Sequence, residues 1–358
     1  MDRTQNKKLN IDEYRRGETI LKSLPQVVYI ETTNTCNLHC SICPITIGMK
    51  EYTRSNKFFS WDNFRKILPL IKSAERCIMS GGGEPLLHPY FFDMLKEVRK
   101  YGTQVIFNTN GTLLDEKKAK KLVELQTDTI SISIDGATSA TYERLRVGAS
   151  FENVKENIIT LNRIKRMSKS DKPYLNIQMT ISRENYTEIP LMAELAGEWG
   201  INHLVIEPLT PIFCENTDYK EFFDKNMVSP SLVADYIIEA KKIAQKKGIV
   251  FSSHYLVALG KEEVFGHAWL FRCVQPWINI GFRTDGTIFP CCGTSYTMGK
   301  LEENDNLLNH WNNLKYMNLR KAFKSFKAPS FCELCLAEGR ATHFNEDLVE
   351  RGIYKNKE

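Results

Sequence analysis

Apolar positions along the first two thirds of this chain follow two periods that take turns. The run Val27-Val28-Tyr29-Ile30-Glu31-Thr32-Thr33 is apolar and β-branched, and it reads as a buried strand. Residues 60–68 then take helical spacing behind Ser60, a good N-cap. The pattern repeats as a strand over 76–79, a helix over 89–101, a strand over 104–107 and a helix over 115–125. It continues with a strand over 129–134, a helix over 151–167, a strand over 174–181, a helix over 187–199 and a strand over 203–206. Strand and helix thus alternate about six times, which predicts an α/β fold built as a parallel barrel or partial barrel. Such folds carry their chemistry at the C-terminal ends of the strands. The residues before Val27 show no core pattern and read as a helical or irregular lead-in.

Past Pro208 the alternation breaks. Thr210 to Cys214 and the acidic, aromatic stretch after it read as a loop. An amphipathic helix over 231–247 ends at Gly248, a C-cap residue, and a strand over 249–252 follows. Residues 258–268 carry mixed charge and read as a connector. A second module opens at Cys273-Val274-Gln275-Pro276-Trp277 and runs to Pro290-Cys291-Cys292. Asp285-Gly286 between two alternating apolar runs predicts a hairpin with a cysteine at each outer end. One helical stretch over 307–326 leads to Cys332-Glu333-Leu334-Cys335. The chain so divides into a lead-in over 1–26, a barrel over 27–210, its completion and a connector over 211–270, a cysteine-bearing module over 271–340 and a tail over 341–358.

Composition narrows the chemistry. The 358 residues include ten cysteines, no apolar run of membrane-spanning length and no apolar core near the N-terminus. The expected location is therefore the cytoplasm, where cysteines in this number point to metal or redox work and not to disulfides. A formal charge of +5 without a basic tract gives no sign of nucleic-acid binding.

Three of those cysteines lie in the loop Cys36-Asn37-Leu38-His39-Cys40-Ser41-Ile42-Cys43, directly after the first strand. Thiols this close cannot readily pair without strain, so they converge on one inorganic centre. Zinc closes with four ligands, whereas a four-iron cubane accepts three thiolates and keeps one iron open. Gly81-Gly82-Gly83-Glu84-Pro85 ends the second strand, where glycines admit a ligand close to the backbone and Glu84 supplies an acceptor. Asn108-Thr109-Asn110-Gly111 ends the third. Ser131, Ser133 and Asp135 lie on or after the fourth; Gln178 and Thr180 lie on the fifth, with Arg183 and Asn185 behind it. Taken singly, these are also a glycine turn, an ordinary turn sequence, strand residues of either face and a solvated loop. In the second module Cys273, Cys291, Cys332 and Cys335 suffice to close a second centre, with Cys292 as an alternative ligand and a zinc ribbon as an alternative centre.

In this order the motifs resemble those of the radical S-adenosylmethionine (SAM) enzymes with a C-terminal twitch or SPASM extension. The C-x2-P-W, D-G-x-I-x-P-C-C and C-x2-C elements are similar in spacing to the aminocyclitol dehydrogenase of butirosin biosynthesis. The resemblance implies a partial (β/α)6 barrel with a small cluster-binding domain. It implies a SAM-binding 4Fe-4S cluster on Cys36, Cys40 and Cys43, and an auxiliary 4Fe-4S cluster on Cys273, Cys291, Cys332 and Cys335. Gly81, Gly82, Gly83 and Glu84 would hold the methionyl ammonium, beside Asn110. Ser133 and Gln178 would reach the ribose and carboxylate, with Arg183 near the carboxylate. Flavodoxin or ferredoxin would supply the electron that cleaves SAM to a 5′-deoxyadenosyl radical.

The implied reaction is hydrogen abstraction from an organic substrate, foremost the oxidation of a small molecule such as a sugar or aminocyclitol. The short lead-in has no room for a peptide-binding domain, which favours a small molecule or a peptide delivered by a partner. Two other enzymatic readings are an epimerase with Cys214 as hydrogen donor and a peptide maturase. A two-cluster electron carrier is the reading of another class, but it has no use for Gly82, Gly83 and Glu84. Cys77, inside the second strand, reads as core, and His254 and His267 are the histidines placed to act as bases.

Overall fold

The computed structural model describes residues 2–48, 57–210, 216–258, 273–291, 296–303, 306–325, 327–330 and 332. Its centre is one ten-stranded sheet. The strands are β1 (Val27–Ile30), β2 (Arg76–Met79), β3 (Gln104–Thr109), β4 (Thr129–Ser133), β5 (Tyr174–Ile181), β6 (His203–Pro208) and β7 (Val250–Ser253), then β8 (Asn279–Phe282), β9 (Thr287–Phe289) and β10 (Gly299–Lys300). They lie in the order β10-β9-β8-β1-β2-β3-β4-β5-β6-β7. β1 to β7 run parallel, and β8 adds in parallel to the free side of β1, with Val27 opposite Asn279 and Ile30 opposite Phe282. The predicted hairpin is therefore an extension of the barrel sheet: β9 and β10 follow antiparallel.

Alternation along the strands decides which face meets what. On β4 and β5 the residues Ile130, Ile132, Leu175, Ile177, Met179 and Ile181 are fully buried beneath the crossover helices. The intervening Ser131, Ser133, Asn176, Gln178 and Thr180 are half-buried and occupy the other face. That face is concave. Asn108 on β3 donates to Gln178 on β5 at 2.8 Å, past β4, although neighbouring strands alone are about 4.8 Å apart. The crossover helices are cut to fit: that of Phe151–Met167 is capped by Ser150 and buries Val154, Ile158 and Leu161.

Two stretches depart from the sequence reading, and the lead-in takes the helical one of its two expected forms. Residues after Cys214 form a helix, Thr217–Asn226, where a loop was expected; Asn216 caps it, and Tyr219 and Phe223, one turn apart, pack with Ile42, Leu145 and Leu209. The helical stretch over 307–326 is two helices, Leu307–Trp311 and Leu314–Lys324. The break falls where Asn312 turns its side chain to both backbone groups of Leu21, and Asn313 caps the second helix. The lead-in is a regular helix, Arg3–Arg16, with an Asp2–Gln5 capping box. It lacks an apolar stripe because, Tyr14 apart, its buried residues are polar: Asn10 donates to the Trp277 carbonyl at 2.7 Å, and Glu13 accepts from Lys22 N, Ser23 N and the Ser23 hydroxyl.

Arg320 joins these parts. Fully buried, it donates to the carbonyls of Pro276, Thr19 and Trp311 and to Asn312 Oδ1, and its guanidinium stacks on Trp311 and Tyr316. Burial draws its pKa down to about 10. Arg320→Ala is expected to cost about 3 kcal/mol or more in denaturant unfolding, since several buried acceptors lose their donor at once. Arg320→Lys should recover only part, because a point ammonium cannot reproduce the planar fork. Among the described residues no helix is long and apolar enough to cross a membrane.

Candidate functional site

The cysteine loop leaves the C-terminal end of β1, and the glycine turn leaves the same end of β2, its neighbour. The two segments are in backbone contact. Gly83 N donates to Thr33 O at 3.0 Å and Glu84 N to Thr35 O at 2.9 Å. A Cβ on Gly83 would stand 2.3 Å from Thr35 O, and one on Gly81 2.4 Å from Glu31 Cγ, so side chains are excluded at both positions. Glu31, 2% exposed, accepts from Gly82 N and from Thr284 N in the β8–β9 turn. One carboxylate thus fastens three strand ends. Sequence reasoning passed over it as part of a strand, although an acid closing an apolar run was the available signal.

Glu84 is buried and serves the same frame. Its carboxylate accepts from Asn110 N at 2.7 Å, the Thr109 hydroxyl at 2.8 Å and Leu86 N at 3.1 Å. Burial pushes its pKa up, and these three bonds pull it back. Asn110 donates to Asn37 Oδ1 at 2.9 Å and toward Cys36 Sγ at 3.9 Å, while its own oxygen accepts from Thr112. Strand two, strand three and the cysteine loop are therefore one hydrogen-bonded unit.

Cys36 is exposed, Cys40 and Cys43 are half-buried, and all three are free thiols. Leu38 N donates to Cys36 Sγ at 3.5 Å. On the far side the loop is held by His39 N to Val147 O at 3.0 Å and Ser41 N to Leu145 O at 2.8 Å. Arg146, between those carbonyls, forms an ion pair with the fully buried Asp135 at 2.6 Å. Burial raises the pKa of Cys36 and pushes Cys40 to about 11, with the nearby Arg146 charge opposing the rise at Cys40. Three unpaired thiols in one tethered loop, beside a side-chain-free backbone cradle, fit a cluster with an adjoining ligand. Among the described residues no three His, Cys, Asp or Glu side chains converge as a single metal ion requires. A cubane, whose thiolates reach separate irons, makes no such demand.

Deeper in the concave face, Gln178 accepts from Asn108 and donates to Glu207 Oε2 at 2.7 Å. Ser133 pairs with Gln178 in the register of β4 and β5. Glu207, at the end of β6, was not singled out from sequence. Arg183 is exposed, on the turn after β5. Asn185 is no ligand contact: fully buried, it donates to Asp135 O and Thr180 O and accepts from Ser182 N, which closes the turn. Cys77 is buried on the helix side of β2, and its thiol pKa is pushed up by burial, in keeping with a core residue. Cys214, Cys292, Cys335 and His267 lie outside the described residues, as does most of the connector.

Of the second cysteine set, Cys291 lies toward the other end of the strands. Cys273, Cys291 and Cys332 are half-buried, and Cys273 and Cys332 pack on the main core. Cys291 follows β9, which runs back antiparallel to β8. It therefore stands near the N-terminal end of β8, whereas Cys36 to Cys43 follow the C-terminal end of β1. Four residues of strand, roughly 13 Å, lie between the two levels.

Comparison with known proteins agrees with this layout. Residues 30–195 match the radical SAM superfamily, and residues 273–336 match the SPASM iron-sulfur cluster-binding domain. The chain thus carries a radical SAM domain followed by a SPASM-type domain, and its cofactors are 4Fe-4S clusters and SAM. It is 30% identical over 199 residues to the tungsten-containing aldehyde ferredoxin oxidoreductase cofactor-modifying protein of Pyrococcus furiosus, covering 53% of each chain. It is 31% identical over 182 residues to the AdoMet-dependent heme synthase of Methanosarcina barkeri, covering 50% of this chain and 49% of that one. The chain spans about half the length of the curated relatives it matches. Among solved structures, SuiB of Streptococcus suis bound to S-adenosylmethionine aligns with a TM-score of 0.65 at 17% identity, over 93% of this chain and 76% of that one. Native anSMEcpe with bound AdoMet aligns with a TM-score of 0.61 at 18% identity, over 92% and 99%. At these identities the likeness is one of fold.

Proposed function

We propose that this chain is a radical SAM oxidoreductase, with the first cluster on Cys36, Cys40 and Cys43 and the auxiliary cluster on Cys273, Cys291, Cys332 and Cys335. When bound, the first cluster and SAM supply a 5′-deoxyadenosyl radical able to take a hydrogen atom from an unactivated C–H. The observation that carries the reading is the backbone contact between the cysteine loop and the Gly81–Glu84 turn at one barrel mouth. Gly81, Gly82 and Gly83 let the methionyl ammonium of SAM come close to backbone carbonyls, the amides of Gly82 and Gly83 being already bound to Glu31 and Thr33. Glu84 and Asn110 hold that backbone in place. Ser133 and Gln178 face the concavity, at the level suited to the nucleoside, and Arg183 stands at its rim for the carboxylate.

The reaction proposed is dehydrogenation. Four cysteine ligands leave no position for substrate, and Cys291 stands about a strand length from the mouth, which suits the exit of an electron better than contact with the reacting carbon. The substrate class is a small molecule, a sugar or aminocyclitol on the cysteine spacing. A second reading, a cofactor precursor, is favoured by the relatives, one named as cofactor-modifying and one as a heme synthase. Flavodoxin or ferredoxin in the cytoplasm is the proposed electron source.

The test uses dithionite-reduced protein and candidate substrates deuterated at the reacting carbon. Transfer of deuterium into 5′-deoxyadenosine identifies the substrate. Cys332→Ala should keep SAM cleavage and lose the oxidised product. Solvent deuterium on the product carbon, lost in Cys214→Ala, would instead establish epimerisation with Cys214 as donor.

A further inference from the structure

The cysteine loop is fastened on one side by the Glu84 frame and on the other by residues 145–147, and between those two outer carbonyls sits a charge. The Arg146 side chain is 14% exposed and its only ion pair among the described residues is with Asp135, itself fully buried. Asp135 has a further duty, accepting Thr180 N at 2.8 Å. Arg146 Nε is buried and has no hydrogen-bond partner among the described residues. Buried donors are nearly always satisfied, so an open one on the residue between the two carbonyls that hold Cys40's neighbours marks a place where an acceptor belongs. The bonds from His39 N to Val147 O and from Ser41 N to Leu145 O set Arg146 alongside Cys40, and its positive charge acts there.

We propose that Arg146 is a positioning residue for the first cluster: its guanidinium, oriented by Asp135, offsets the negative charge gained on reduction and so raises the cluster's reduction potential. A cubane on three thiolates is anionic when oxidised and more so when reduced, and cluster potentials follow net charge and hydrogen bonds to sulfur. A fixed cation with an open N–H supplies both. Burial makes the effect larger than it would be at the surface, because little water screens it. The inference rests on the placement of that cluster on Cys36, Cys40 and Cys43.

Three variants test it: Arg146→Met removes the charge and donor at similar length, Arg146→Lys keeps the charge but loses the fork, and Asp135→Asn removes the opposing charge. Each is reconstituted anaerobically and assayed for iron, and the first cluster is titrated by electron paramagnetic resonance with the auxiliary cluster as internal reference. Arg146→Met should lower the reduced-to-oxidised ratio at fixed poise about tenfold, equivalent to about 59 mV for one electron. Arg146→Lys should shift it less, Asp135→Asn should shift it the opposite way, and the auxiliary cluster should not move. A fully loaded Arg146→Met with an unchanged potential overturns the proposal. So do shifts of the same sign in Arg146→Met and Asp135→Asn, the pattern of a merely structural pair. If Arg146→Met retains no iron, Arg146→Lys and Asp135→Asn decide alone: opposite shifts support the proposal, and equal or absent shifts overturn it. Failure of the wild-type chain to bind iron would instead remove the cluster assignment itself.

Discussion

Cys40→Ala should abolish 5′-deoxyadenosine formation while leaving the fold intact. Cys40 stands in the middle of the loop, and the bonds that shape its surroundings are made by backbone: His39 N and Ser41 N to residues 147 and 145, and Cys43 N to Cys40 O at 3.1 Å. Alanine preserves all of them. What goes is the thiolate, and with two remaining ligands the cluster is no longer held in the state that presents one open iron to SAM. Product formation measured by chromatography after reduction should fall to background. Cys332→Ala, in the second cysteine set, should still form 5′-deoxyadenosine. Equal losses in both variants would mean that the two cysteine sets do not act as separate centres.

Glu84→Ala should be the most damaging change in the frame around the loop. From the sequence, Glu84 is an acceptor for the SAM ammonium, and its loss would mainly weaken SAM binding. In the structure its carboxylate already accepts from Asn110 N, Thr109 and Leu86 N. Removing it leaves buried donors unpaired and frees the turn that carries Asn110 against Asn37 and Cys36. The expected cost is about 3 kcal/mol or more in unfolding free energy, together with loss of iron from the first cluster. Glu84→Gln, which keeps one acceptor oxygen, should lose less of both. Unfolding curves, iron content and SAM affinity measured side by side separate the roles. A fall in SAM affinity with stability and iron unchanged would make Glu84 a ligand contact and not a support.

What the sequence revealed and what it hid follow from the range of the interactions. The helix over 151–167 and the strand over 174–181 were legible to the residue, because capping and alternation are local signals. The cysteine loop and the glycine turn were legible because their residue types have few other uses in those patterns. The helix of residues 139–145, which leads to Arg146, escaped notice: short, it shows little period, and its worth lies in what its end touches. The break at Asn312 depends on Leu21, far away in the chain, and so does the polar anchoring of the lead-in helix on Trp277. Parallel pairing of β8 with β1 joins segments some 250 positions apart, a contact that local pattern does not encode. Glu31, Arg146 and Glu207 share one reason for being missed: each is a charged residue in a stretch that reads as ordinary until its partners are known.

The central claim is that two separate cysteine sets hold two iron-sulfur clusters, and metal analysis of anaerobically purified and reconstituted protein tests it most directly. The account predicts about eight irons and eight sulfides per chain, falling to about four of each when Cys36, Cys40 and Cys43 are all replaced by alanine. Stoichiometric zinc without iron, or an iron content that the triple replacement leaves unchanged, would contradict it.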